Sequence, residues 1–450
     1  MLRRALRFAL VAAALPLAAI VLADRAAHPA TPSGLHAVGL PPIAFAAAAN
    51  DARPQPPARP ASSPLAGLDL ARIGERGGRS IAPVEAGTAH LTLDASLQHT
   101  ALMRMNARHL PEAAVVVMDV ATGRLLVYAS HAEQAPLRDL CAEATAPSAS
   151  VFKIVTAAAL VEQAHLGPET TQCYLGGEQR IGSRDLVEDS RRDKWCTTLA
   201  GALGRSINAV FARLANTHLA PEQLEAMARR FGYGAALPFD VPVQPSELHV
   251  PSDPLEFART AAGFWNTTLS PLLAAEISAV VARGGERVRA SIVEEVAAPT
   301  GAVVWSAPDA PAATRAITAD TADKLTAMME RTVSEGTSRR AFHDARGASF
   351  LPGVTVAGKT GTLTDAATRR YYTWFTGFAP TKPTPGLRQV AISVLVVNGP
   401  TWQIKANVLA REMLQAYFGR GTGESRAAHP DKRLAEANDR ERPKPREPRL

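Results

Sequence analysis

Ser150 and Lys153 stand one helical turn apart in the stretch Ala146-Pro-Ser-Ala-Ser-Val-Phe-Lys-Ile-Val-Thr-Ala-Ala-Ala-Leu160, a spacing that suits nucleophilic acyl transfer. Positions i and i+3 share a helix face, so the lysine amine lies beside the serine hydroxyl. From Val151 to Val161 every residue except Lys153 and Thr156 is apolar, which predicts a helix buried on nearly all sides. A lysine held there loses solvation of its charged form, its pKa falls, and a useful fraction becomes a neutral base. The chain carries 41 Arg but only 8 Lys, and Lys153 is the only lysine with a serine three residues before it. Arginine is not deprotonated in proteins, so a site that needs a base must use the rarer residue.

A second stretch, Val356-Ala-Gly-Lys-Thr-Gly-Thr362, offers two readings. Gly353 to Thr360 satisfies the G-x-x-x-x-G-K-[ST] pattern of a phosphate-binding loop. Such a loop must lie between a strand and a helix. Here Val354, Thr355 and Val356 are themselves strand formers, and Gly361-Thr-Leu-Thr-Asp365 starts no helix. Read instead as a strand spanning Val354 to Lys359 and ending in Lys-Thr-Gly, the segment supplies a cation, Lys359, and the hydroxyls of Thr360 and Thr362, a set suited to a substrate carboxylate. Between these two stretches, at a break in a helical pattern, comes Ser206-Ile-Asn208, 56 residues after Ser150 and 153 before Lys359.

The elements that must position these groups follow from periodicity. A short strand, His90 to Asp94, leads into a helix from about Ser96 to His109, and two strands, Ala113 to Val120 and Leu125 to Ser130, are joined by the turn Ala121-Thr-Gly-Arg124. Helical patterns cover Leu199 to Ala215 with the break noted above, Pro221 to Arg230, Ser270 to Ala282 and Ala319 to Ser334, with Pro-rich irregular chain before Ser270. Strand signals return at Val354 to Lys359, Tyr371 to Phe378 and Val390 to Val397, and a last helix spans about Ile404 to Phe418. Late strands must come back to pair with early ones. The expected fold is therefore α+β: an antiparallel sheet covered by helices on both faces, plus a mostly helical subdomain.

Composition narrows the function classes. With 450 residues and 46% hydrophobic content the chain can build a large core. Net charge is +7, but no basic block with interleaved aromatics occurs, which argues against a nucleic-acid partner. No C-x-x-C or H-E-x-x-H is present, so neither a metal nor another cofactor is expected, and none of the eleven His has a partner at ligand spacing. Trp265 and Trp374 read as packing residues and Arg339-Arg340 as a solvated helix end. Arg3, Arg4 and Arg7 precede an uncharged run from Phe8 to Ala23, so residues 1–23 read as a signal anchor or a cleaved signal peptide, and the bulk of the chain belongs outside the cytoplasm. Residues 24–87 form an Ala/Pro-rich linker and lead-in, and 421–450 a disordered charged tail. Cys173 and Cys196 bracket a Gly-rich, charged loop and form the expected disulfide, leaving Cys141 over.

With Ser150-x-x-Lys153, Ser206-x-Asn208 and Lys359-Thr-Gly361 in this order, the chain resembles the transpeptidase domain of penicillin-binding proteins, in the serine D,D-peptidase and β-lactamase-like superfamily. Leu91-Thr-Leu-Asp-Ala-Ser-Leu-Gln98, Ala114 to Gly123 and Trp374-Phe-Thr-Gly-Phe-Ala-Pro380 resemble other parts of that domain, so the likeness spans residues 88–420. Val151 stands where the family often has Thr, and Ile207 where it is often polar. The resemblance implies a monofunctional type without glycosyltransferase, single-pass in the inner membrane, with its catalytic domain in the periplasm. It implies a D,D-transpeptidase that acts on D-Ala-D-Ala stem peptides of peptidoglycan, is acylated by β-lactams and works beside other cell-wall synthesis proteins. Ser150 would be the nucleophile, Lys153 its base and Ser206 a proton relay. Asn208, Lys359, Thr360, Gly361 and Thr362 would bind substrate, with the Ser150 and Thr362 backbone N–H groups as the oxyanion hole. A serine β-lactamase of the Ser-x-Phe-Lys class or a D,D-carboxypeptidase would use the same nucleophile, although the former usually has Ser-x-Val second. A β-lactam sensor or a non-catalytic wall-binding scaffold are the alternatives outside enzymology, and a sensor would need a signalling module where only about seven residues precede the apolar run.

Overall fold

Strand alternation organises the centre of the molecule. In this computed structural model the described residues are 63–419, except 135–137, 177–179, 309–311 and 366. The expected leader at 1–23, most of the linker and the tail at 421–450 lie outside them. Strands β1 (Gly74–Arg76), β2 (Arg79–Val84) and β3 (Gly87–Leu91) precede helix α1 (Ala95–Asn106), whose Asp94 cap accepts from the Leu97 N–H at 2.9 Å. Strands β4 (Glu112–Asp119), β5 (Leu125–Ala132) and β6 (Ala146–Pro147) lead through a 3₁₀ turn at Ala149–Phe152 into α2 (Lys153–Glu162). The hairpin β7 (Thr171–Tyr174) and β8 (Trp195–Thr198) then feeds α3 (Leu199–Arg205), α4 (Asn208–His218), α5 (Pro221–Phe231) and α6 (Pro254–Ala261). After β9 (Thr268–Leu269), α7 (Pro271–Ala282) starts on a Ser270 cap and a proline in its first turn. Short strands β10 (Glu286–Val288), β11 (Val293–Ala297), β12 (Val303–Ser306) and β13 (Ala313–Arg315) lie between α7 and α8 (Ala319–Ser334). Last come α9 (Arg339–Phe342), β14 (Ala357–Asp365), β15 (Arg370–Ala379), β16 (Val390–Asn398) and α10 (Ala406–Phe418).

The main sheet is antiparallel, in the order β14-β15-β16-β4-β5, so late strands pair with early ones as the chain order requires. Its central strands are buried on both faces. Ala113, Val115 and Val117 of β4 join Val390, Ile392, Val394 and Val396 of β16 in a core shared with α1 and α10, while Ala114, Val116 and Met118 face a second core with α2 and α7. The fold is α+β, with helices on both faces and α2 to α6 forming the helical part.

Ordered structure is expected to begin near Leu68, and residues 74–87 of the lead-in are built into a second antiparallel sheet, β1-β2-β3-β11-β12, where Ala82 and Ala89 are buried. Two expectations change. Helix α6 replaces part of the irregular chain before Ser270; Asp253 caps it by accepting from the Leu255 and Glu256 N–H groups, and Pro254 opens it. The Lys-Thr-Gly strand does not end there: it begins at Ala357 and continues to Asp365, because its full length pairs with β15. No helix follows Thr360, which removes the structural context of a phosphate-binding loop.

Candidate active site

Ser150 projects from a turn held on every side. Ala149 before it adopts φ 48°, a left-handed conformation that an alanine keeps only where its surroundings enforce it. Those surroundings are specific. The Trp374 indole N–H donates to the Pro147 carbonyl at 2.9 Å, Ser148 Oγ donates to the Thr268 carbonyl at 3.1 Å, and the Tyr233 hydroxyl donates to Ser148 Oγ at 3.2 Å. Gly263, at φ +80°, packs so closely that a Cβ there would sit 2.3 Å from the Ala149 carbonyl oxygen. On the opposite side Gly361 passes the turn, where an added Cβ would lie 3.2 Å from the Ala149 Cβ.

Lys153 opens α2 and is fully buried. Its Nζ is 2.8 Å from Ser150 Oγ and 2.6 Å from Asn208 Oδ1, and it also donates to the Ala262 carbonyl just past α6. The Phe211 ring covers it at 5.7 Å. Burial pushes its pKa well below the ordinary lysine value, and the nearby positive charge of Lys359 pushes it further in the same direction. Ser206 caps α3 in the left-handed conformation at φ 60°, so the chain reverses and starts α4 at Asn208. Ile207 points into the core at 6% exposure while Ser206 and Asn208 on either side of it are half-buried, which accounts for an apolar residue at that position.

Lys359 stands behind the cleft: it is fully buried and donates to Ser206 Oγ and to the Thr360 carbonyl, both at 2.8 Å. Burial lowers its pKa to about 7. The alternation of β14 explains this: Lys359 and Gly361 turn inward, and Thr360 and Thr362 turn to the other face. A cleft of about 330 Å³ is lined by Ser150, Ser206, Asn208, Thr360, Gly361 and Thr362, so six of the expected residues converge on one space, with the two lysines behind it. β14 is the edge of the sheet, and such an edge can add an extended peptide as a further strand.

The structure adds groups that sequence reasoning missed. Thr337 shares a 2.6 Å hydrogen bond between hydroxyls with Thr360, and Thr373, Lys405 and Asn407 also line the cleft. The Ala262 carbonyl and Gly263 were hidden with α6, although Asp253-Pro254 is a legible helix start. Trp374 packs at 1% exposure and also walls the cleft, whereas Trp265, read as a packing residue, is 51% exposed. Arg339 and Arg340 are exposed on α9 as expected. Cys173 and Cys196 are joined by a disulfide across β7 and β8, and Cys141 is buried and free.

The profile of the penicillin binding protein transpeptidase domain matches residues 113–415. The peptidoglycan D,D-transpeptidase PbpA of Mycobacterium tuberculosis is 30% identical over 274 residues, covering 59% of this chain and 52% of that protein. Penicillin-binding protein PbpB of Mycolicibacterium smegmatis is 28% identical over 304 residues, covering 62% and 45%. The chain thus spans about half the length of the curated relatives it matches. In fold it is similar to the D,D-transpeptidase domain of a peptidoglycan glycosyltransferase from Eggerthella lenta, with TM-score 0.60, 23% identity and coverage of 74% and 83%. The crystal structure of PBPA from M. tuberculosis gives TM-score 0.59, 23% identity and coverage of 73% and 82%. With the profile matched over more than half its length, the chain belongs to the penicillin-binding protein transpeptidase domain family.

Proposed function

We propose that this protein is a peptidoglycan D,D-transpeptidase that works through a Ser150 acyl-enzyme. The observation that carries the reading is Lys153 Nζ at 2.8 Å from Ser150 Oγ in a dry site that favours its neutral form. Neutral Lys153 accepts the Ser150 hydroxyl proton as Oγ attacks the carbonyl of the penultimate D-Ala. The resulting oxyanion is received by the Ser150 and Thr362 backbone N–H groups. Collapse breaks the peptide C–N bond, the departing D-Ala amine takes a proton through Ser206, and an ester remains on Ser150. The amine of a second stem peptide then attacks the ester, Ser150 regains its proton, and the cross-link is made. Asn208 holds Lys153 in line and meets the substrate amide. Lys359 keeps Ser206 oriented and Lys153 neutral, while Thr360 and Thr362 hold the carboxylate end and Gly361 lets the edge strand approach the Ser150 turn.

β-Lactams enter the same cycle and stop at the acyl stage. The apolar run from Phe8 to Ala23 serves as a single inner-membrane anchor or an export signal, with residues 63–419 on the periplasmic side. The Cys173–Cys196 disulfide supports an oxidising compartment. Among the described residues, no helix is long and apolar enough to cross a membrane. The test is labelling by a fluorescent penicillin followed by mass spectrometry of the modified peptide. The label is expected on Ser150 and absent from Ser150→Ala; undiminished labelling of that variant would falsify the assignment. Rapid release of hydrolysed penicillin would instead mark a β-lactamase.

A further inference from the structure

Lys359 itself presents no exposed positive charge to the cleft. It is fully buried, both of its described hydrogen bonds go to Ser206 and the Thr360 carbonyl, and with its pKa lowered to about 7 it is only partly charged near neutrality. The cleft wall nonetheless contains one cationic side chain among the described residues, Lys405. It is half-buried on the loop between β16 and α10. Its Nζ lies 6.0 Å from the centre of the Trp402 ring, which in turn packs on Tyr371 of β15 at 5.3 Å. The residue after it, Ala406, donates its N–H to Thr373 Oγ1 at 3.2 Å, and Thr373 is the register partner of Thr362. Lys405 is thereby fixed at the same wall as Thr362, just before the first turn of the thirteen-residue α10, whose positive end adds to the local potential.

We propose that Lys405 is the substrate-binding cation of this cleft, contacting the carboxylate at the C-terminus of the donor peptide and the matching carboxylate of β-lactams together with Thr360 and Thr362. This rests on the transpeptidase reading of the site. A carboxylate gains a charge-assisted contact from an ammonium at a partly desolvated wall, whereas a neutral ester at the same place does not.

The experiment measures acylation rate constants for benzylpenicillin and for its methyl ester, with the full-length protein and its Lys405→Gln and Lys405→Arg variants. Lys405→Gln is expected to slow acylation by the free acid about tenfold or more, and to leave the ester within about twofold. Lys405→Arg is expected to keep most of the preference for the acid, and added salt to narrow it in the parent protein. The ester rate reports whether the site is still folded. Acid and ester slowed equally, or an acid-to-ester ratio unchanged in Lys405→Gln, would overturn the role of Lys405 while leaving the transpeptidase reading intact. Absence of any acylation in the parent protein would overturn both.

Discussion

Lys153 Nζ stands 2.8 Å from Ser150 Oγ, and the lysine that makes this contact is fully buried. Its place in the chemistry is tested by Lys153→Met, which keeps the volume and removes the base. Acylation by penicillin is expected to fall by about a hundredfold to ten-thousandfold, the usual weight of a positioned base. A stopped-flow acylation rate near that of the parent protein would exclude Lys153 from the proton transfer.

Burial lowers the pKa of Lys153 first, and the charge on Lys359 lowers it further. The acylation rate should therefore rise with pH as Lys153 loses its proton. In Lys359→Gln the second contribution disappears, Lys153 holds its proton more tightly, and the rising limb moves to higher pH. A pH–rate profile of the variant with an unmoved limb would separate the two lysines electrostatically.

Stability should respond to the same burial. The pKa of Lys359 falls from 10.5 to about 7 in the folded protein, so between those values the unfolded chain binds more protons than the native one. Its contribution to stability therefore grows as pH rises through that window and is weakest below about pH 7. Lys359→Met is expected to stabilise the folded protein near pH 7 by about a few kcal/mol at most, seen as a higher Tm, and to flatten the dependence up to pH 9. Calorimetry that shows a lower Tm for the variant at pH 7 would contradict this.

Gly263 is needed twice, for its φ of +80° and for its contact with the Ala149 carbonyl. Gly263→Ala places a Cβ 2.3 Å from that oxygen, so the Ser150 turn must shift. A loss of about 2 kcal/mol or more is expected, together with slower acylation. Thermal unfolding and acylation rates measured on one preparation test both effects, and a variant matching the parent in each would mean that the turn yields freely.

The Cys173–Cys196 bridge spans 23 residues and staples β8, which runs directly into α3 and its Ser206 cap. Closing a loop of that length stabilises by about 3 kcal/mol. Denaturant unfolding of Cys173→Ser should show this loss, and a reductant should destabilise the parent but leave the variant unchanged.

Local geometry was written in the amino-acid sequence. Ser150 and Lys153 share a helix face because they are three residues apart, the short β-branched and aromatic runs at 390–397 and 371–378 read as strands, and the break at Ser206-Ile-Asn208 was visible as a fault in helical periodicity. The burial of Lys359 was less legible, because a tripeptide does not say which face of its strand meets a core.

Tertiary structure alone decided which distant groups meet. Lys153 reaches Asn208 across 55 residues and the Ala262 carbonyl across 109, and Lys359 reaches Ser206 across 153. The same packing brought Lys405 to the cleft wall and set Gly263 against the Ser150 turn. The physical reason is range. Periodicity reports how a segment presents its faces, but which segments come together is set by how helices and sheet fill a common core at high density, a property no single stretch contains.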